Sequence, residues 1–175
     1  KENHIRYSLD DYDETEIADV DKLTFTPIYA DENVENSEII AYSVTDCDKE
    51  ISGDLKIPAT YNGKSVTEIG NYAFSNCNAL NSVEILGNVT TICKHAFEYC
   101  TILSSITIGE SVATIGENAF AYCETLSSIV IPESVTTIGD NAFSNCTSLQ
   151  TATIEKGVKT IGEGAFAYCT TLSSI

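Results

Sequence analysis

Phe74, Phe97, Phe120, Phe143 and Phe166 lie 23 residues apart, and nearly everything around them keeps that interval. Cys77, Cys100, Cys123, Cys146 and Cys169 repeat with it. So do Leu80, Leu103, Leu126, Leu149 and Leu172. Ile69, Ile92, Ile115, Ile138 and Ile161 form a further series, as do Val66, Val89, Val112, Val135 and Val158. A fixed period of this length means stacked units rather than one closed core. A single unit cannot bury its own apolar side, so its neighbours must cover it.

One unit reads LSSITIGESVATIGENAFAYCET, from Leu103 to Thr125. The run Leu103-x-x-Ile106-x-Ile108 ends in β-branched alternation, which predicts a strand with Ile106 and Ile108 inward. Gly109, or Pro132 in the next unit, bends the chain out of the ladder. Val112 and Ile115 return apolar side chains to the interior. Gly116 is expected at a corner where φ can be positive. Residues Glu117 to Cys123 suit a single helical or 3₁₀ turn, with Ala119, Phe120 and Cys123 on one face. Stacked in register, each strand pairs with the next at about 4.7–4.9 Å. Val83, Ala152 and Cys93 are the small departures from the columns, and Ala152 leaves slack in its own.

These residues carry a family resemblance. The L-x-x-I-x-I opening matches the leucine-rich repeat pattern. The continuation P/G-x-S-V-x-x-I-G-x-x-A-F-x-x-C-x-x-L resembles the BspA-like, or TpLRR-type, subclass over roughly residues 57–175, about five times. The resemblance implies a right-handed leucine-rich repeat solenoid of parallel strands. The Asn/Cys position of ordinary leucine-rich repeats falls at Asn88, Ser111, Ser134 and Gly157, so no asparagine ladder is expected.

Three segments follow. Residues 1–38 lack the repeat and read as an acidic N-terminal segment. Residues 39–65 read as a capping hairpin and half-repeat, with Asn62-Gly63 a tight-turn signal. In the family that the chain resembles, the first repeat commonly begins this way. Residues 66–175 are the array. Ile175 falls inside a strand, so the array is expected to continue or to be capped beyond it.

Composition narrows the partners. The net charge is −17, and residues 1–54 hold 16 acidic against 4 basic side chains. That balance argues against nucleic acid, whose phosphates need Lys and Arg. No apolar run approaches the roughly 18 residues of a membrane span, so no direct membrane insertion is expected in this segment. An N-terminal apolar signal is also lacking.

Few residues invite chemistry. The seven cysteines include no CxxC or CxxH, which disfavours zinc. In-register thiols sit too far apart and too parallel for disulfides, so Cys77, Cys100, Cys123, Cys146 and Cys169 are expected as a buried free column. Cys47 and Cys93 lie off that column. Asp11, Asp13, Thr15 and Asp19 fall at calcium-loop spacing, but Glu16 and Lys22 stand where Gly and Glu are required. His4 and His95 have no cysteine placed to act as nucleophile. The chain is therefore expected to be neither an enzyme nor a cofactor or metal carrier.

Two surfaces are candidates for binding. The outward strand positions include Glu84, Ser105, Thr107, Ser128, Val130 and Thr153, a face that a solenoid can present continuously. Small hydroxylated residues are equally ordinary soluble strand material. A stripe of Tyr99, Tyr122 and Tyr168, interrupted by Asn145, precedes each cysteine. It can serve as interface or pack on the next turn. The resemblance implies a non-enzymatic bacterial surface or secreted module for recognition or adhesion, binding a protein or glycan. The alternative is a structural spacer that presents another domain.

Overall fold

A computed structural model describes residues 20–34 and 37–175. The acidic run at 10–16, the calcium-spaced residues 11–19 and His4 lie outside them. After a short 3₁₀ turn at Val20–Lys22, β1 (Leu23–Tyr29) and β2 (Ile39–Cys47) form an antiparallel pair. Next come β3 (Ser52–Lys56), β4 (Thr60–Tyr61) and β5 (Lys64–Ile69). The array then alternates a longer and a two-residue strand: β6 (Ala79–Ile85), β7 (Thr91–Ile92), β8 (Ser105–Ile108), β9 (Thr114–Ile115), β10 (Ser128–Ile131), β11 (Thr137–Ile138), β12 (Thr151–Ile154) and β13 (Thr160–Ile161).

The two strand types build separate sheets. The short strands stack in parallel as β5-β7-β9-β11-β13, and β2 joins β5 to carry the β1–β2 pair onto that sheet. Asn62 and Gly63 both take positive φ in the turn between β4 and β5, as a two-residue hairpin loop demands. Phe25 stacks on Tyr61 at 4.0 Å, and Tyr42 meets the same ring edge-on, which fills the first end of the core.

The longer strands form β3-β6-β8 and a separate pair β10-β12. Pairing of every strand with the next was expected, and it fails between β8 and β10. Pro132 accounts for one lost rung. Elsewhere the residue leaving the strand donates to the previous coil, as Gly109 N–H does to Ile85 O and Glu155 N–H to Ile131 O. Pro132 has no N–H to give. Ile106 and Ile108 on the open side keep 8% and 7% exposure, against 2% and 0% for Ile129 and Ile131.

Between the sheets the apolar columns run as the period dictates. Phe74, Phe97, Phe120, Phe143 and Phe166 stack almost parallel, with ring centres 4.9, 5.2, 5.2 and 5.3 Å apart. The first four are fully buried.

The Glu117–Cys123 segment is not a helical turn. Ala119, Ala121 and Cys123 donate back three residues, to Gly116, Asn118 and Phe120. The alternate amides of Asn118, Phe120 and Tyr122 donate instead to Asp140, Ala142 and Ser144 of the next coil. A helix would keep every amide within its own segment. This alternation requires two left-handed residues per coil: Tyr72, His95, Asn118, Asn141 and Gly164 at one site, Asn76, Tyr99, Tyr122, Asn145 and Tyr168 at the other. Gly116, by contrast, does not take positive φ. Its missing Cβ matters for another reason: a methyl there would lie 2.8 Å from the backbone of Cys93 and Lys94.

Candidate functional site

The array's longer strands bury alternate residues, so one side chain in two faces outward. Glu84, Ser105, Thr107, Ser128, Val130 and Thr153 are all exposed. Parallel register sets Lys56, Glu84 and Thr107 in one row, and Val130 beside Thr153. Asp54, Ser82 and Ser105 form the adjacent row. Ser128 and Thr151 form its counterpart beyond the β8–β10 seam.

The face divides by chemistry. At its first end Ser82 Oγ and Asn81 Nδ2 donate to Asp54 Oδ1 at 2.7 and 3.1 Å. Those bonds hold the Asp54 carboxyl below its ordinary range. Glu84 sits 3.8 Å from the Lys56 ammonium. Beyond Thr107 the row carries hydroxyls and the exposed isopropyl of Val130.

The tyrosines are organised differently. Tyr99 stacks on Tyr122 at 4.4 Å with an interplanar angle of 14°, so the two rings pack on each other while Tyr99 stays 40% exposed. Tyr168 is 74% exposed. All three have φ near +60°, where Asn or Gly is far cheaper than a bulky residue. Tyr72 stacks on His95 at 4.5 Å, and both are left-handed too. Sequence reasoning passed over Tyr72. The signal was present, since it lies one period before His95.

Among the described residues no nucleophile assembles around His95. His95 Nδ1 lies 3.0 Å from Glu98 Oε2. Cys100 Sγ points inward and donates to Phe74 O at 3.1 Å. Burial, reinforced by Glu68, pushes the Cys93 thiol up to about 11. Among the described residues no group of three His, Cys, Asp or Glu side chains is arranged to hold a metal. No helix among them is long and apolar enough to cross a membrane.

The thiol column forms as the spacing requires. Cys77, Cys100, Cys123 and Cys146 are fully buried and reduced, whereas Cys169 in the last coil is only half-buried. Burial pushes Cys100 up to about 12 and Cys123 well above the ordinary thiol value. A thiol reagent attacks the thiolate. Native protein at neutral pH is therefore expected to leave Cys100, Cys123 and Cys146 unlabelled, and unfolding to expose all three. Fast labelling of the native state, read by peptide mass, would contradict this packing.

Parallel strands stacked on both sides of a fixed coil, with stacked rings between, define a leucine-rich repeat solenoid. The chain belongs to the BspA type leucine rich repeat family, whose pattern matches residues 53–175 in six copies. That stretch begins within β3, whose parallel pairing with β6 makes it the strand of the first coil. Among solved structures, the chain is similar to a Treponema pallidum leucine rich repeat protein, at 29% identity and a TM-score of 0.80. The match covers 89% of this chain and 69% of that one. It is also similar to a leucine rich cell surface protein of Faecalibacterium prausnitzii, at 33% identity and a TM-score of 0.70. There the match covers 77% of this chain and 35% of the other, so the chain spans about a third of that protein. The pneumococcal vaccine antigen PcpA shares the fold at 20% identity and a TM-score of 0.63, with 86% of this chain and 47% of that one covered. No curated protein matches the chain.

Proposed function

We propose that this chain is a non-enzymatic recognition module that acts outside the cell, at a bacterial surface, and binds a protein or glycan through its strand face. The observation that carries this reading is the outward side of the longer strands, held in register within β6–β8 and within β10–β12. Thr107, Ser128, Val130 and Thr153 project from strands fixed by the core beneath them, and none of the four is spent on packing. A rigid face loses little conformational freedom on binding, which favours recognition over a soft surface. The cell-surface description of the Faecalibacterium protein supports the location.

One observation favours a second contact. Left-handed tyrosines at 99, 122 and 168 stand where Asn145 shows that a cheaper residue fits, and strain of this kind concentrates at functional sites.

The test is a pair of variants against a panel of extracellular-matrix proteins and a glycan array. Thr107→Arg/Ser128→Arg places two long cations on the strand face and is expected to weaken binding at least about tenfold, with Tm almost unchanged. Loss only in Tyr99→Ala/Tyr122→Ala would move the contact to the tyrosines. Absence of any wild-type binding would leave a spacer.

A further inference from the structure

Every thiol of the column after the first donates to the carbonyl of a phenylalanine one coil back. Cys100 reaches Phe74 O at 3.1 Å, Cys123 reaches Phe97 O at 3.5 Å, Cys146 reaches Phe120 O at 3.3 Å, and Cys169 reaches Phe143 O at 3.1 Å. Cys77 departs from this rule. Its Sγ faces Cys47 Sγ at 2.9 Å. Cys47 ends β2, lies off the period, and enters the core from the antiparallel pair rather than from a coil. Both side chains are buried, Cys77 fully and Cys47 with 6% of its surface left.

We propose that Cys47 and Cys77 form a disulfide when the protein meets a small-molecule disulfide oxidant, fastening the β1–β2 pair to the first coil. In the structure both are reduced. Their sulfurs need to close by less than about 1 Å to reach bonding distance. Of the other column thiols, Cys146 and Cys169 also share a side-chain hydrogen bond, but each of these two additionally donates to a carbonyl oxygen, as Cys77 does not.

The exchange balances. Cys47 donates to Cys77, so Cys77 is the thiol that ionises first and its sulfur attacks the oxidant disulfide. A mixed disulfide forms on Cys77 and one small thiol leaves. Cys47 then gives up its proton, its Sγ attacks Cys77 Sγ, the mixed bond breaks, and the second small thiol leaves. Two cysteine thiols are oxidised, one external disulfide is reduced, and each cysteine proton ends on a released thiol. The hydrogen bond from Cys47 holds the Cys77 thiol below its ordinary value against the effect of burial, and the nearby Lys49 ammonium acts in the same direction.

The consequence is mechanical. The bond closes a loop across a separation of 30 residues, which removes freedom from the unfolded chain. It ties the β1–β2 pair to the core at the first end of the stack. This assignment is independent of which surface binds a partner.

The experiment uses the whole chain, incubated in mixtures of oxidised and reduced glutathione and then digested for peptide mass mapping. A Cys47–Cys77 cross-linked peptide is expected, with Tm raised by roughly 5–10 °C and returned by a phosphine reductant. Cys47→Ala, if it folds, should lose both the cross-link and the shift. Both thiols remaining reduced in fully oxidised glutathione would overturn the proposal. So would glutathione adducts that never resolve, or a cross-link mapping to Cys146–Cys169 instead. The mapping on the unsubstituted chain decides the matter even if the variant fails to fold.

Discussion

Phe120→Ala is expected to cost about 3–5 kcal/mol, the range for removing a large buried aromatic and leaving a cavity. Phe120 is fully buried and lies between two rings, each 5.2 Å away. Its backbone is held from both sides. Phe97 N–H donates to Ala119 O, and Phe120 N–H donates to Ala142 O. The surroundings therefore cannot collapse into the gap without breaking two coil-to-coil rungs. Phe166 is the control. It stacks on Phe143 alone and is only part-buried, so Phe166→Ala should cost markedly less. Urea unfolding of the two variants checks this. Equal losses would mean that stability is not a sum of coil and nearest-neighbour contributions.

Gly139→Ala carries the second large effect, from one methyl group. A Cβ at 139 would lie 2.6 Å from Glu117 N and Gly116 C in the preceding coil. Both are backbone atoms, so no side chain can swing aside. Replacing Gly by Ala where the backbone tolerates it stabilises by about 0.4–1 kcal/mol through the unfolded chain. Overpacking costs about 1–3 kcal/mol, sometimes more, and wins here because φ at Gly139 is already acceptable to alanine and only space is lacking. The expected net result is a lower Tm and a lower urea midpoint. An unchanged or raised midpoint would show that the coils are not this close.

Much of this fold is legible in the chain because the period converts sequence spacing directly into contact. Phe97 and Phe120 touch since they are one period apart, and the same holds for the thiol column. What the period hides is how each coil closes. Asn118 and Asn141 hint at left-handed backbone, but Tyr99 and Tyr122 argue locally against it. The alternation of amide bonds between a coil and its successor decides the geometry, and no local propensity records it. Gly116 is glycine for want of space and not for a positive φ, because its neighbours in space, Cys93 and Lys94, lie one coil away. Pro132 announced a missing donor, yet the effect falls on β8, a full coil earlier. β1 carries the alternation Leu23-Thr24-Phe25-Thr26 within a strongly acidic stretch that concealed it.

The candidate site is legible to a lesser degree. Alternation placed Ser105, Thr107, Ser128 and Val130 outward, and the structure sets them in rows. Pairing of Glu84 with Lys56 depends on β3, the strand of the first coil, whose spacing to β6 is longer than the 23-residue period, so the period does not give it. Cys47 meets Cys77 for the same reason: it lies outside the period and has no column to predict its place. Exposed hydroxyls name no ligand, because Ser and Thr serve solubility and recognition equally well.

The most direct measurement is an amide NMR titration of the chain with whichever glycan or protein fragment binds most tightly in the panel. The strand-face account predicts shift changes centred on Thr107, Ser128, Val130 and Thr153, spreading to the inward Ile106 and Ile129 but leaving Tyr99 and Tyr122 still. Changes confined to Tyr99, Tyr122 and their neighbours, with the strand face unmoved, would contradict it.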